Sequence, residues 1–308
     1  MEGAEAVLVL DGALAWLDTP HASGFVTAAA LGTVDEMAQR WKHFLAQGFV
    51  AADAALLAAW NAQGALPSFT WGEMEPHPVP GITPVQGLYA IVDGVPRLRQ
   101  VLDAGIRLAQ LRIKQPRDAD AAWFASLRAQ LRDGIAAARD AGATLYVNDH
   151  WRIAAELGAQ AVHLGQEDLL HLGDAGQSEL AAAGMALGVS SHAVWELCRA
   201  RLLQPAYIAC GPVWPTTTKD MPWRPQGLDN LGWWVVQAQR PVVAIGGILE
   251  PHQVREAARA GARAVCLVRG LGDDPRRSVP DFQAAFDAGA AERMTAPRWP
   301  HPSLEARP

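Results

Sequence analysis

The sequence predicts an α/β protein, a (β/α)8 barrel of the TIM type behind a small α+β N-terminal block and a proline-rich linker. Three observations point there. From Gly87 onward, short apolar runs alternate with longer helical patterns, as parallel strands alternate with crossover helices. Eight such runs fit within roughly 190 residues, the spacing of a compact barrel. The polar residues gather where the runs end, and barrel chemistry sits at the C-terminal ends of strands. An open, doubly wound sheet is the alternative arrangement of the same elements.

Taken in order, residues 7–10 and 13–17 read as a hairpin turning at Asp11-Gly12. Residues 33–47 and 51–63 read as helices, with Gly48 as the stop between them. The block of residues 1–64 is marginal for a core of its own. Pro67, Pro76, Pro78, Pro80 and Pro84 fall in 65–86, which reads as a semi-rigid linker. The barrel is expected over 87–289. Its strands are expected at 88–92, 108–112, 144–147, 161–164, 186–189, 207–210, 242–245 and 264–268. The clearest helices are expected at 119–139, 192–202 and 251–260. Residues 290–308 read as a loose tail.

Composition narrows the function classes. Half of the 308 residues are hydrophobic, enough for a sizeable core. A net charge of −6 without a basic cluster argues against nucleic acid. No apolar run reaches membrane-spanning length. The opening Met1-Glu2-Gly3-Ala4-Glu5 lacks the basic start of a secretory leader. Cys198, Cys210 and Cys266 lie far apart in apolar contexts and read as reduced thiols of a cytoplasmic protein.

The strand ends carry the candidate chemistry. Alternation puts Gln110, Arg112 and Lys114 on one face of the second strand, with Leu111 and Ile113 on the other. Asp149 ends the third strand and Asp168 follows the fourth. Each could cap the next helix, or the two could share a hard cation such as Mg2+. His150 and His163 lack zinc-ligand spacing and read as structural. Ser190 ends the fifth strand. The sixth leads into Gly211-Pro212-Val213-Trp214-Pro215-Thr216-Thr217-Thr218-Lys219-Asp220, where three hydroxyls precede an ammonium. Such a loop suits phosphate oxygens. Gly246 and Gly247 end the seventh strand and let backbone approach an anion closely. Val268 and Arg269 close the eighth. No catalytic triad order, P-loop or zinc signature is present. The ensemble suits a diphosphate, a bridging metal and a second phosphate.

These motifs have a family likeness. QLRIK at 110–114, NDHWRIA at 148–154, VHLGQEDL at 162–169, GVSSH at 188–192, GPVWPTTTKD at 211–220 and AIGGI at 244–248 together resemble thiamine phosphate synthase. The resemblance implies a (β/α)8 barrel that joins hydroxymethylpyrimidine diphosphate to a thiazole phosphate and releases pyrophosphate, with Mg2+. It assigns Gln110, Leu111, Arg112, Ile113, Lys114, Asn148, Ser190 and Lys219 to the pyrimidine diphosphate, with Arg112, Lys114, Ser190 and Lys219 as the catalytic set. It assigns Thr216, Thr217, Thr218, Gly246, Gly247, Val268 and Arg269 to the thiazole phosphate, and Asp149 and Asp168 to the metal. It implies a dissociative mechanism in which no general base is required.

Two departures stand out. The family carries a Ser at the end of strand eight, where this chain has Arg269-Gly270. Residues 1–64 lie outside the minimal barrel and resemble the C-terminal end of hydroxymethylpyrimidine phosphate kinase, through Leu17–His21 and Gly48–Ala54. Ala22-Ser23-Gly24-Phe25 replaces that kinase's glycine-rich anion hole, so the block reads as a remnant without kinase activity. Every family motif lies beyond Gly87, so the block is expected to be dispensable for chemistry. A thiazole tautomerase on the same barrel is the competing enzyme. A non-catalytic interaction module, docking a pathway kinase through residues 1–64, is the competing binding role. Homo-oligomerisation is a further expectation.

Overall fold

The computed structural model describes residues 6–62, 64–79, 81–216 and 222–304. The chain opens with the expected hairpin. Strands β1 (Val7–Asp11) and β2 (Leu14–Asp18) pair antiparallel, with Asp11 opposite Leu14. Gly12 takes φ +63° at the turn, where a side chain would be strained. A strand absent from the expectation follows: β3 (Ser23–Thr27) pairs with β2. Gly24 hides it in the sequence, because glycine weakens a strand pattern. Here glycine is needed, since a Cβ at Gly24 would collide with the Thr70 carbonyl.

Helix α1 (Val34–Ala46) starts with a capping box between Thr33 and Glu36. Helix α2 (Ala51–Trp60) is buried on every side from Ala52 to Trp60. The segment expected as a linker is packed instead. Its strand β4 (Ser68–Phe69) completes a four-stranded sheet in the order β1-β2-β3-β4. Trp71 and Val79 are buried, and the Val79 N–H donates to the Leu203 carbonyl at 2.8 Å. Prolines suggested a spacer, but three apolar side chains between them found a core.

The barrel follows. Its elements are β5 (Gly87–Val92), α3 (Val95–Asp103), β6 (Leu108–Leu111), α4 (Ala121–Asp140), β7 (Thr144–Asn148), α5 (Trp151–Glu156), β8 (Ala161–Leu164) and α6 (Gln166–Ala182). Then come β9 (Ala186–Ser191), α7 (Val194–Leu202), β10 (Tyr207–Cys210), α8 (Gly227–Gln237), β11 (Val242–Ala244), α9 (Pro251–Arg259), β12 (Ala264–Leu267) and α10 (Pro275–Ala290). All eight strands are parallel, and β12 pairs with β5, so the sheet closes. Closure excludes the open doubly wound alternative.

Strand alternation sorts the core into two layers. One set, including Tyr89, Leu108, Tyr146, Tyr207, Val243 and Ala264, fills the barrel. The other, including Val92, Leu111, Val147, Leu164, Val189 and Leu267, faces the helices. Polar residues continue the inward set toward the strand ends, and that continuation builds the site.

The N-terminal block is clamped to the barrel along α7. The buried Asp53 carboxylate on α2 accepts the Trp195 N–H at 2.9 Å. The Arg199 guanidinium donates to the carbonyls of Thr70 and Ser23 at 3.0 and 2.7 Å. It also lies over the rings of Phe69 and Trp71, at 4.6 and 5.8 Å. The tail, expected to be loose, is tied down through residue 304. Trp299 packs against Phe44 and Trp60, and the His301 N–H donates to the Asn230 side chain at 2.8 Å. Trp299, Met294 and the buried Leu304 anchor a short segment that is otherwise mostly polar, alanine or proline.

Candidate active site

The strand ends surround a cavity of about 430 Å³. Arg112, Asn148, Asp149, Asp168 and Ser190 line it, with Gln110 on the floor side at 2% exposure. The wall on the other side comes from Thr216, Gly246, Gly247, Val268 and Arg269. The topology makes this grouping. Gln110 and Arg112 continue the inward face of β6, Asn148 that of β7 and Ser190 that of β9. Val268 continues β12.

The two carboxylates sit differently. Asp149 has φ +64°, and its N–H donates to the His163 carbonyl at 3.1 Å. It does not cap α5, whose N-cap is His150. The left-handed backbone turns Asp149 out of the strand and onto the cavity. Partial burial raises its carboxyl pKa above the ordinary value, and the Asp168 carboxylate pushes the same way, while Arg112 opposes. Asp168 lies in the first turn of α6, and its carboxylate accepts the Gly165 N–H at 2.9 Å. It therefore caps its helix and borders the cavity at once. Two mutually repelling carboxylates at one cavity wall are a donor set suited to a hard cation that also binds phosphate oxygens. Among the described residues no cluster of three or more His, Cys, Asp or Glu could hold a metal, so any cation here would depend on further ligands from substrate or water.

The opposite wall is backbone. The β10–α8 and β11–α9 loops lace together: Val213 N–H donates to Ile245 carbonyl at 2.8 Å, and Trp214 N–H to Gly246 carbonyl at 3.0 Å. Gly247 has φ +72°, and a Cβ there would come within 2.6 Å of Trp214. Only glycine fits this approach. From α9, the Gln253 amide braces the loop. It donates to the Gly247 carbonyl at 3.1 Å and accepts the Leu249 and Glu250 N–H groups at 2.8 and 3.0 Å.

With this geometry in hand, the chain can be set beside known proteins. A family model described as thiamine monophosphate synthase matches residues 88–271. The chain belongs to that family. A thiamine-phosphate synthase of Neisseria meningitidis serogroup A is 41% identical over 202 residues, covering 65% of this chain and 94% of the relative. One from Escherichia coli O6:H1 is 46% identical over 163 residues, covering 53% and 73%. The solved thiamine phosphate pyrophosphorylase of Pyrococcus furiosus superposes with a TM-score of 0.55 over 67% of this chain and 96% of its own, at 23% identity. That likeness supports the barrel. Family membership bears out the expected activity class, a transferase of the thiamine phosphate synthase type.

Most residues that the family motifs singled out come together at the cavity, but not all. Leu111 turns its side chain into the helix layer, against Gly134 of α4. Ile113 is half-buried, and its carbonyl meets His150 Nε2 at 2.9 Å. Lys114 lies beyond the strand, exposed and away from the cavity wall. Period-2 alternation ends with the strand at Leu111, so it could not carry as far as Lys114. Thr217, Thr218 and Lys219 lie outside the described residues.

Sequence reasoning also missed residues. His163, read as structural, lines the cavity. The signal was available: with Val162 and Leu164 facing the helices, His163 must face inward beside Asn148, its partner across the sheet. Burial, with Arg112 and His192 nearby, pushes its pKa down to about 3, so it is neutral. Trp223 and His192 stack at 5.1 Å on the same rim, and Glu196 accepts the His192 N–H at 2.5 Å. Gln166 reaches from α6 to the Ser191 hydroxyl at 3.0 Å. Loop contacts of this kind have no sequence period.

Proposed function

We propose that this protein joins 4-amino-2-methyl-5-hydroxymethylpyrimidine diphosphate to 4-methyl-5-(2-hydroxyethyl)thiazole phosphate, giving thiamine phosphate and pyrophosphate. The observation that carries the reading is the pairing, around one cavity, of a polar wall bearing Arg112, Asn148, Asp149, Asp168 and Ser190 with a glycine-rich wall at Gly246-Gly247. The first suits a diphosphate and the second a lone phosphate.

In this reading Gln110 and Asn148 orient the pyrimidine, and Arg112 neutralises charge that grows on the departing diphosphate. Lys114 and Lys219 add positive charge toward the diphosphate, and Ser190 donates a hydrogen bond. Asp149 and Asp168 would hold Mg2+, which when bound supplies charge neutralisation for the leaving group. Thr216, Thr217 and Thr218 accompany Gly246, Gly247, Val268 and Arg269 around the thiazole phosphate. The aminopyrimidine stabilises its own methylene cation once pyrophosphate leaves, and the thiazole nitrogen captures it. The protein's task is to hold the two partners in line and to exclude water. No residue has to abstract a proton.

Free, buried thiols at Cys198, Cys210 and Cys266 support a reducing, cytoplasmic setting. Among the described residues, no helix is long and apolar enough to cross a membrane. The test is direct: purified protein, both phosphorylated substrates and Mg2+, with pyrophosphate and thiamine phosphate quantified. Equal amounts of the two products support the reading. Absence of both, from protein that remains folded, refutes it.

A further inference from the structure

A line of hydrogen bonds crosses the barrel interior and joins two walls of the cavity. Gln110 Nε2 donates to the Tyr89 hydroxyl at 3.2 Å. Tyr89 and Tyr207 hydroxyls lie 2.8 Å apart. The Tyr207 hydroxyl lies 2.7 Å from His163 Nδ1, and His163 Nε2 lies 2.7 Å from Ser190 Oγ. The ends of the line, Gln110 and Ser190, border the cavity. Tyr89 and Tyr207 do not, being 1% and 0% exposed. The chain has three tyrosines in all, and all three pack inside the barrel. Gly188 makes room for the line, since a Cβ there would collide with the Tyr207 ring.

The direction of the protons follows from counting donors and acceptors. Tyr89 oxygen accepts from Gln110, so its own proton needs an acceptor, and among the described residues Tyr207 oxygen is the one in reach. Tyr207 must then donate onward to His163 Nδ1. A neutral imidazole with Nδ1 accepting carries its proton on Nε2. That N–H donates to Ser190 Oγ, and the Ser190 proton is left for the cavity. Placing the imidazole proton on Nδ1 instead would leave a tyrosine proton buried without an acceptor, which costs free energy that the opposite tautomer avoids. At the other end, the Gln110 amide nitrogen is committed to Tyr89, which leaves its oxygen for the ligand.

We propose that this relay sets Ser190 as a hydrogen-bond donor and Gln110 as an acceptor toward the pyrimidine diphosphate, with Tyr89, Tyr207 and His163 as positioning residues. The proposal rests on the functional reading above. It specifies that reading: the ligand edge must offer a donor, such as an exocyclic amino group, to Gln110 and an acceptor to Ser190. The relay couples the two ends, because reversing one reverses every bond between them.

The test has two parts on the full-length protein. NMR of the isotope-labelled imidazole nitrogens reports where the His163 proton sits, independently of turnover. The expected result is the Nε2–H tautomer in the wild type, moving toward a mixture in Tyr207→Phe. An Nδ1–H tautomer in the wild type overturns the proposal. The second part is a double-mutant cycle on kcat/KM for the pyrimidine diphosphate. Ser190→Ala and Tyr207→Phe should each lower it about tenfold, the loss expected for one hydrogen bond. The double variant should fall short of the product of the two single losses, since Tyr207 reaches Ser190 through the relay as well as supporting Gln110. Losses that multiply overturn the proposal. If Tyr207→Phe fails to fold, the wild-type His163 tautomer decides by itself. A wild type that makes no thiamine phosphate while keeping the Nε2–H tautomer would count against the functional reading and leave the relay standing.

Discussion

Two regions of the molecule bury a carboxylate, and they use it in opposite ways. In the seam between α2 and α7, Asp53 is 2% exposed and its pKa is pushed up to about 8 by burial. Its partner is a backbone N–H at the start of α7, the Glu196 carboxylate adds a smaller upward push, and apolar side chains from the block and the barrel close the space. At the barrel mouth, Asp149 also has a raised pKa, but it faces a cavity, a second carboxylate and Arg112. A perturbed carboxyl is therefore no mark of function by itself. The seam holds its acid against the backbone N–H groups that start α7, in a closed space, although the Glu196 carboxylate also acts on it. The mouth holds two acids next to open space, and that leaves room for a ligand.

The largest effect expected from breaking this contrast comes from removing the seam. Deleting residues 1–64 would strip α2 from α7 and expose Trp195 and Trp233, each buried in the whole chain. Exposing a large buried side chain of this kind costs about 1.5–3 kcal/mol. The truncated protein is expected to aggregate or to lose its cooperative melting transition, measured by calorimetry and size exclusion. This reverses the expectation that the block is dispensable, because motif position says where chemistry is and nothing about what the barrel leans on. A folded, fully active truncation would show that the seam is ornamental.

Next come the mouth carboxylates. Asp149→Asn and Asp168→Asn are each expected to lower kcat by about 10²–10³, comparable to losing one preorganised electrostatic contact. Their melting temperatures should stay close to the wild type's, since Asp149 caps nothing. Asp168→Asn loses some capping and should melt slightly lower. Wild-type turnover and Mg2+ response in both would return these residues to a purely structural role.

The seam carboxylate should behave the other way, changing stability and leaving turnover alone. Asp53→Ala leaves the Trp195 N–H without its acceptor and is expected to cost about 1–3 kcal/mol. Asp53→Asn keeps an acceptor. The folded pKa, about 8, lies above the ordinary 3.8, so between those values the folded state holds a proton that the unfolded chain has released. Stability from this group is full below about pH 4, falls as pH rises through that window and levels off above about pH 8. Asp53→Asn removes that slope. The variant should match the wild type near pH 4 and exceed it increasingly toward pH 8 in thermal melts. A wild type and variant that stay parallel across that range would remove Asp53 from the account.

The smallest expected effect concerns Arg269, exposed at the cavity rim beside the Gly246-Gly247 wall. Arg269→Ser should raise the KM for thiazole phosphate several-fold, more at low salt than at high salt, because screening already weakens a surface charge. The KM for the pyrimidine diphosphate should hold. Equal thiazole phosphate kinetics at low ionic strength would leave Arg269 as a rim residue only.

The contrast also shows what was legible in the sequence. Alternation placed Gln110 and Arg112 inward, and the strand-end rule placed Asp149, Asp168, Ser190 and Gly247, because each depends on a period and a position. It would have placed His163 by the same parity. Lys114 escaped it, since the ladder's last backbone bond is made by the Arg112 N–H and parity lapses beyond it. The seam was invisible for another reason. Asp53, Arg199 and Trp299 meet residues far away in the chain, and no local pattern announces such partners. Proline content at 65–86 suggested a spacer, yet Phe69 and Trp71 found a cation to pack on.

Trp299 closes the aromatic cluster around Phe44 and Trp60, and this sets an order of events during synthesis. The block is synthesised before the barrel, but one wall of its core comes from the segment that follows the barrel. Until that ring arrives, α1 and α2 show a greasy notch to the cell. Until residue 299 has been made, the block shows apolar surface of the kind that makes folding intermediates prone to aggregate.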